Sequence, residues 1–418
     1  MSVKHLIITD KEHNNATLSV KTTIFTDKNM DISALTKESV NLLKEMIAIP
    51  SPSFEEDAVC SHICSWLSSK EIDYRRIGNN IIAEHITDAD KPTLMLCAHI
   101  DTVSPSPEYS FDPYKPENCP EDMVQGLGSN DDGASVVSMI AAYRYFCSHC
   151  AGGKDNQNNP SQASLGPSPC GQGGSTVLPT SATGTIATQP NLILVLTCEE
   201  ERSGTGGMTG LWPELAPKVD FAIVGEPTGM KAATSERGLL VIDATAHGVS
   251  GHAARNEGCN ALYKALEDIE KLRNHCFSKV SPRMGKVNLN VTQINAGSGH
   301  NVIPDRCDFV IDIRPTEQYS NEEILAELQT ICSSELKARN LANRSSATFE
   351  GSPLQKAAER LGIETFSSPT TSDWMRIGCD AVKMGPGDSA RSHRKDEFVF
   401  VEEIRSGIET YIEFINNL

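Results

Sequence analysis

At 418 residues the chain is long enough for two domains with separate cores. Its 55 acidic against 37 basic side chains leave a formal net charge of −18, which argues against nucleic acid or an anionic membrane as partner, since both recruit clustered Lys and Arg. No run approaches the roughly 20 apolar residues that span a bilayer, and the 13 scattered cysteines suit a reducing compartment, so a cytoplasmic location is expected.

Residues 1–30 lack the basic start, continuous apolar core and cleavage site of a signal peptide and read as an N-terminal extension. Over 31–70 apolar positions recur at helical spacing, interrupted by the loop IPSPSFEED at 49–57, which predicts two helices. A strand at 79–86 comes next. TLMLCAHID (93–101), LILVLTCEE (192–200) and VDFAIVGEP (219–227) are near-continuous apolar runs, the pattern of strands covered on both faces, with a helix at 133–147 between the first two. The alternation predicts an α/β fold: a mixed, mostly parallel sheet covered by helices.

Residues 148–190 are rich in Gly, Ser, Pro, Asn and Gln and read as a disordered insertion. They hold His149, Cys150 and Cys170, which with Cys147 read more simply as stray side chains than as a metal site. From 239 the texture changes. LLVIDATAHG, VNLNVTQINAG and CDFVIDIRP alternate like half-buried strands, while NALYKALEDIEKLRNHC and NEEILAELQTICSSELKARN read as amphipathic helices. The expected division is a catalytic domain from 31–238 and 347–418, with a smaller α+β lid at 239–346. The chain closes on a buried strand at 379–384 and a terminal helix.

Chemistry concentrates at five places: His99-Ile-Asp101, Asp131 and Asp132 in GLGSNDDGAS, the triplet Glu199-Glu200-Glu201, Glu226 in VGEPTG, and His393 in MGPGDSARSH. Side chains two apart on a strand point the same way, so Asp101 can hold the far N–H of His99 and raise its basicity as a ligand. The aspartate loop precedes an apolar helix, where it reads either as an N-cap or as a bridging ligand. Three of the five places come directly after apolar strands and can converge at one sheet edge. Two imidazoles and several carboxylates form the donor set of zinc, cobalt or manganese, and such carboxylates without cations would repel strongly.

In order, LCAHIDTV, GLGSNDDGA, LTCEEERSG, VGEPTG, GHAARNEGCNA, NVIPD, DIR and MGPGDSARSH resemble the di-zinc deacylase family. That family includes acetylornithine deacetylase, succinyl-diaminopimelate desuccinylase, aminoacylase and carboxypeptidase G2. The last string is most similar to the acetylornithine/acylcitrulline deacetylase branch. The resemblance implies two divalent metal ions, zinc or cobalt, one held by His99, Asp131 and Glu226 and the other by Asp131, Glu201 and His393. Asp132 is the alternative bridge. It further implies Glu200 as general base and acid, His252 as oxyanion donor from a partner's lid, and Arg314 with Asn301 as the carboxylate grip. A homodimer through the lid, acting on a small N-acyl amino acid such as N-acetylornithine in arginine biosynthesis, is the function it implies. A dipeptidase, an aminopeptidase or a desuccinylase on the same centre is the enzymatic rival. A relative that binds without catalysis is the rival of another class. Arg394-Lys395, beside His393, either favours an anionic acyl group or forms a solvated face.

Overall fold

Strands Thr93–His99 and Asn191–Thr197 are buried along their whole length, because the sheet they belong to is covered on both faces. The computed structural model describes residues 31–116, 120–150, 189–255 and 257–418. The extension at 1–30, Cys170 with most of the insertion, and the side chains of His149 and Cys150 lie outside the described residues. Among those described, a nine-stranded sheet runs in the order 75–77, 80–85, 191–197, 93–99, 221–224, 380–383, 232–236 and 346–347, with 365–368 paired alongside 232–236. The central four strands are mutually parallel and the flanking pairings are mixed, the mostly parallel sheet expected from the apolar runs.

Alternation divides the central strands between two cores. Leu94, Leu96 and Ala98, with Leu192, Leu194 and Leu196, face the helices Ile32–Ile47, Asp57–Ser69, Ala134–Cys150 and Val401–Asn416. Met95, Cys97, Ile193 and Val195 face the other way, against Met208, Leu211 and Leu215 of helix Met208–Leu215 and against Trp374. Full burial of each such large apolar side chain is worth about 1.5–3 kcal/mol, so neither face tolerates a polar intruder before the strand ends.

A second, four-stranded antiparallel sheet takes the order 288–296, 306–314, 240–247 and 335–338. Leu240, Ile242, Ala244 and Ala246 point inward with Phe309, Ile311 and Ile313, onto helices Ala261–Asn274 and Asn321–Ile331. Arg283, in the turn before strand 288–296, reaches the larger sheet: its Nη1 donates to the carbonyl of Thr234 on strand 232–236 (3.1 Å) and to that of Thr348 (2.7 Å). The helix expected through 340 stops at Ile331. Cys332 is extended, buried Asp268 accepts the N–H groups of Ser333 and Ser334, and Leu336 turns inward on strand Glu335–Ala338. The serine pair is the stop signal that helical spacing alone did not reveal. Among the described residues, no helix is long and apolar enough to cross a membrane.

Candidate metal centre

Strands Asn191–Thr197, Thr93–His99 and Phe221–Val224 are neighbours, so the residues just beyond their C-terminal ends meet at one sheet edge. His99 closes the middle strand, the glutamate triplet lies just past Thr197, and Glu226 stands two residues beyond Val224.

His99 Nε2 lies 3.2 Å from Asp131 Oδ1. Its Nδ1 lies 3.0 Å from the main-chain oxygen of Asp101 and 3.5 Å from the carboxylate Oδ1. The carbonyl of Asp101 is therefore the nearer partner of the imidazole, where the carboxylate was expected. The carboxylate is taken up instead by the turn: it accepts the N–H of Glu200 (3.0 Å), the N–H of Glu201 (3.1 Å) and the hydroxyl of Ser53 (2.7 Å).

Strand pleating stops at Thr197, and Glu199 takes a positive φ of 61°. The three glutamates thus leave the two-residue alternation of a strand. Glu199 folds back, accepting the N–H of Gly206 at 2.7 Å, and a Cβ on Gly204 or Gly206 would collide with its carboxylate. The glycines in ERSGTGG leave room for that side chain. Buried Glu56 accepts the Glu199 N–H at 3.1 Å, and Asn80 accepts that of Cys198 at 3.1 Å. Neither anchor stands out in the sequence, and Glu56 lies in the loop at 49–57 between the first two helices.

His393, also at positive φ, places Nε2 2.9 Å from Glu201 Oε2 and 3.7 Å from Asp131 Oδ2. Asp131 therefore stands between both histidines. Asp132 turns its Oδ2 to the His99 N–H at 3.4 Å, while its Oδ1 has no hydrogen-bond partner. Of the two aspartates, Asp131 is the one placed 3.2 Å from His99 Nε2 and 3.7 Å from His393 Nε2.

Ligand-competent atoms gather in two groups sharing His99, each with all atoms within 4.8 Å: His99, Glu200 and Glu226, and His99, Asp131 and Glu201. Glu226 is thus grouped with Glu200, where the resemblance implied Asp131, and His393 falls outside both groups, where the resemblance implied it with Asp131 and Glu201; Glu200 lines the cleft together with the candidate ligands. Burial pushes the Glu200 and Glu226 carboxyls well above the usual carboxylate range, and Glu201 upward too. Burial opposes charge on His99 as well, but Asp101, Asp131 and Glu200 outweigh it and raise its pKa. The ion contact with Glu201 raises His393 to about 9. Four carboxylates crowded out of water need positive charge, and two histidines do not balance them. The donor set therefore fits divalent cations.

The cluster opens into a cleft of about 770 Å³ bordered by Glu200, Glu226, Phe366, Thr370, Lys383 and His393. Lys383, missed in the sequence because it sits within an apolar strand, is buried and lies 3.1 Å from buried Glu236. Its ammonium also donates to the Thr370 carbonyl at 3.0 Å, fixing the far wall. His252, Asn301 and Arg314 do not border this cleft. His252 is exposed on the pair Gly251–His252 and Val302–Ile303, Asn301 is its exposed neighbour, and Arg314 is ion-paired with Asp312 at 2.9 Å.

Residues 234–340 match the model of a peptidase dimerisation domain, and residues 80–161 that of peptidase family M28. A succinyl-diaminopimelate desuccinylase from Wolbachia pipientis is 24% identical over 409 residues, covering 91% of this chain and 93% of that protein. An acetylornithine deacetylase from Myxococcus xanthus is 27% identical over 233 residues, covering 51% and 61%. In fold, the chain resembles an aminopeptidase from Bacillus cereus, with TM-score 0.68, 16% identity and coverage of 91% and 98%. It also resembles an M20 family metallo-carboxypeptidase from Sulfolobus solfataricus, with TM-score 0.67, 14% identity and coverage of 91% and 99%. With these likenesses, a peptidase dimerisation domain and a buried histidine–carboxylate cluster at the sheet edge, the chain is similar to M20 peptidases and deacylases and is a hydrolase of the peptidase–deacylase kind with candidate metal-binding residues.

Proposed function

We propose that the chain hydrolyses the amide bond joining an acyl group to the α-amino group of an amino acid, with N-acetylornithine, or an N-acetyl- or N-succinylcitrulline, as substrate in arginine biosynthesis. His99, Asp131 and Glu226 would hold one divalent ion, zinc or cobalt, and Asp131, Glu201 and His393 a second. When bound, such ions acidify water and polarise an acyl carbonyl.

The observation that carries this reading is the placement of adjacent Glu200 and Glu201. Asp101 pins both main-chain N–H groups, yet Glu201 meets His393 while Glu200 meets the His99–Glu226 side of the cleft. Glu200 is then free to take a proton from the attacking water and return it to the leaving amine. His252 would donate to the developing oxyanion, and Arg314 with Asn301 would grip the α-carboxylate. Because those three stand away from the cleft of their own chain, the reading requires a homodimer in which the lid of one subunit completes the site of the other. The dimerisation domain supports that assembly.

A second reading, desuccinylation of N-succinyl-diaminopimelate, is favoured by the coverage of the desuccinylase relatives and by exposed Arg394 and Lys395 beside His393. Turnover of N-acetylornithine, N-acetylcitrulline, N-succinyl-diaminopimelate and dipeptides after zinc or cobalt reconstitution distinguishes them. Dominant N-acyl amino acid turnover is expected. Dominant dipeptide turnover would overturn the deacylase reading, and dominant desuccinylation would replace its substrate.

A further inference from the structure

His393 is the exposed member of the cluster: 55% of its side chain is accessible, on a loop with no regular strand or long helix. Something must fix its distance to Asp131, which belongs to a different loop far away in the chain. Two buried side chains do so, each reaching from one loop to the backbone of the other.

Asn130, fully buried, extends its amide to the His393 loop. Its Oδ1 accepts the Asp388 N–H at 2.9 Å, and its Nδ2 donates to the Asp388 carbonyl at 3.1 Å and to Ser392 Oγ at 3.4 Å. The pair to Asp388 imitates a two-bond backbone ladder. In the other direction, buried Glu397 accepts the N–H of Asn130 (2.8 Å) and of Asp131 (3.0 Å) on one carboxylate oxygen. The segment 388–397 is thus tied at both ends to the dipeptide Asn130-Asp131, with His393 near its middle. Gly387 enters this joint at φ +91°, and a Cβ there would lie 2.4 Å from Asn130 Oδ1, so the fit excludes a side chain. Beyond the joint, Arg391 pairs with Glu403 at 2.7 Å and Ser110 donates to Asp396, bracing the rest of the loop.

We propose that Asn130 and Glu397 are positioning residues that form a reciprocal clamp between the two loops, and that this clamp selectively sets the cation-binding group made by Asp131, Glu201 and His393. The other group keeps His99 and Glu226 on strand ends and shares with that group only Asp131, whose neighbour Asp132 is tied separately to the His99 N–H, so it should depend on the clamp far less. The inference rests on the reading of these residues as metal ligands.

The test uses full-length protein with Asn130→Ala, Asn130→Asp, Glu397→Leu and Glu397→Gln. Zinc and cobalt titrations by calorimetry are paired with amide hydrogen exchange on the metal-free protein. Loss of outer hydrogen bonds that orient ligands lowers metal affinity roughly 10–100-fold, so Asn130→Ala and Glu397→Leu should weaken one of two equivalents by that factor and leave the other within about threefold. Exchange at Asn130, Asp131 and Asp388 should rise at least about tenfold while the central strands stay protected. Glu397→Gln keeps an acceptor oxygen and Asn130→Asp keeps half the amide pair, so both should recover part of the lost affinity. A merely structural role would weaken both equivalents together, in step with melting temperature, and that result overturns the clamp. So does unchanged binding of both equivalents. Wild-type stoichiometry reports separately on the ligand reading: fewer than two equivalents sinks that reading, and the clamp's purpose with it.

Discussion

Replacing Asp101 by Asn separates two roles that one carboxylate can perform. If Asp101 served only to orient His99, an amide oxygen at the same place would still accept the imidazole N–H, and little would change. In the structure the carboxylate also holds the glutamate turn, because its two oxygens accept the N–H groups of Glu200 and Glu201 at 3.0 and 3.1 Å, and Ser53 donates to one of them at 2.7 Å. Asn offers one oxygen, so one glutamate N–H must face an NH₂ group. A buried donor left without a partner costs about 1–3 kcal/mol, and a hydrogen bond to a charged group is worth about 1.5–3 kcal/mol. Asp101→Asn should therefore destabilise the metal-free protein by about 2–5 kcal/mol. Ser53→Ala, which leaves both N–H bonds intact, should cost about 1 kcal/mol. Urea unfolding measures both, and bound metal after dialysis shows whether the shifted turn still presents Glu201. Asp101→Asn no more harmful than Ser53→Ala, with metal retained, would refute the assignment of Asp101 to the turn.

Lys383→Met strands buried Glu236, which keeps the Ser372 hydroxyl at 2.7 Å but loses the ammonium beside it, and should cost about 3–5 kcal/mol, whereas Lys383→Met with Glu236→Leu should recover most of it. Equal thermal unfolding for the single and double variants would contradict the pairing. In the dimerisation domain, burial opposes charge on Asp268, but Lys271, Ser334 and Ser333 outweigh it and hold its pKa at about 2, below the free 3.8. Its contribution is present above the free value and is lost as pH falls from 3.8 toward 2, so acid unfolding should lose that steep segment in Asp268→Asn. Arg314→Ala should raise KM about 10–100-fold with kcat nearly unchanged if the side chain binds the substrate carboxylate; a loss confined to kcat would exclude that role.

The sheet edge was legible because its chemistry lies just past apolar runs. His99, the glutamate triplet and Glu226 each sit where a strand covered on both faces must end, so strand adjacency brought them together. Where the three side chains of the triplet point was only partly legible. Only the positive φ of Glu199 reveals how the chain leaves the pleat. Lys383 was hidden because a buried ammonium within an apolar strand gives no sign of a partner such as Glu236, distant in the chain. Asn130, Glu56 and Glu397 were hidden for a related reason: each acts on the backbone of another loop, and neither residue type nor spacing records a long-range main-chain contact. Strand Glu335–Ala338 was absorbed into a helix because its alternation is only four residues long and comes after a strong helical pattern without Gly or Pro.

The division of roles between Glu200 and Glu201 is tested most sharply by single-turnover hydrolysis of N-acetylornithine with zinc-reloaded protein, measured beside bound metal for wild type, Glu200→Gln and Glu201→Gln. Wild type should be active with two metal equivalents. Glu200→Gln should keep both metals while slowing by about 10²–10⁴-fold, the usual worth of a positioned acid–base group. Glu201→Gln should lose an equivalent of metal together with activity. A Glu200→Gln protein that turns over at the wild-type rate with its metals in place would contradict the assignment of proton transfer to Glu200.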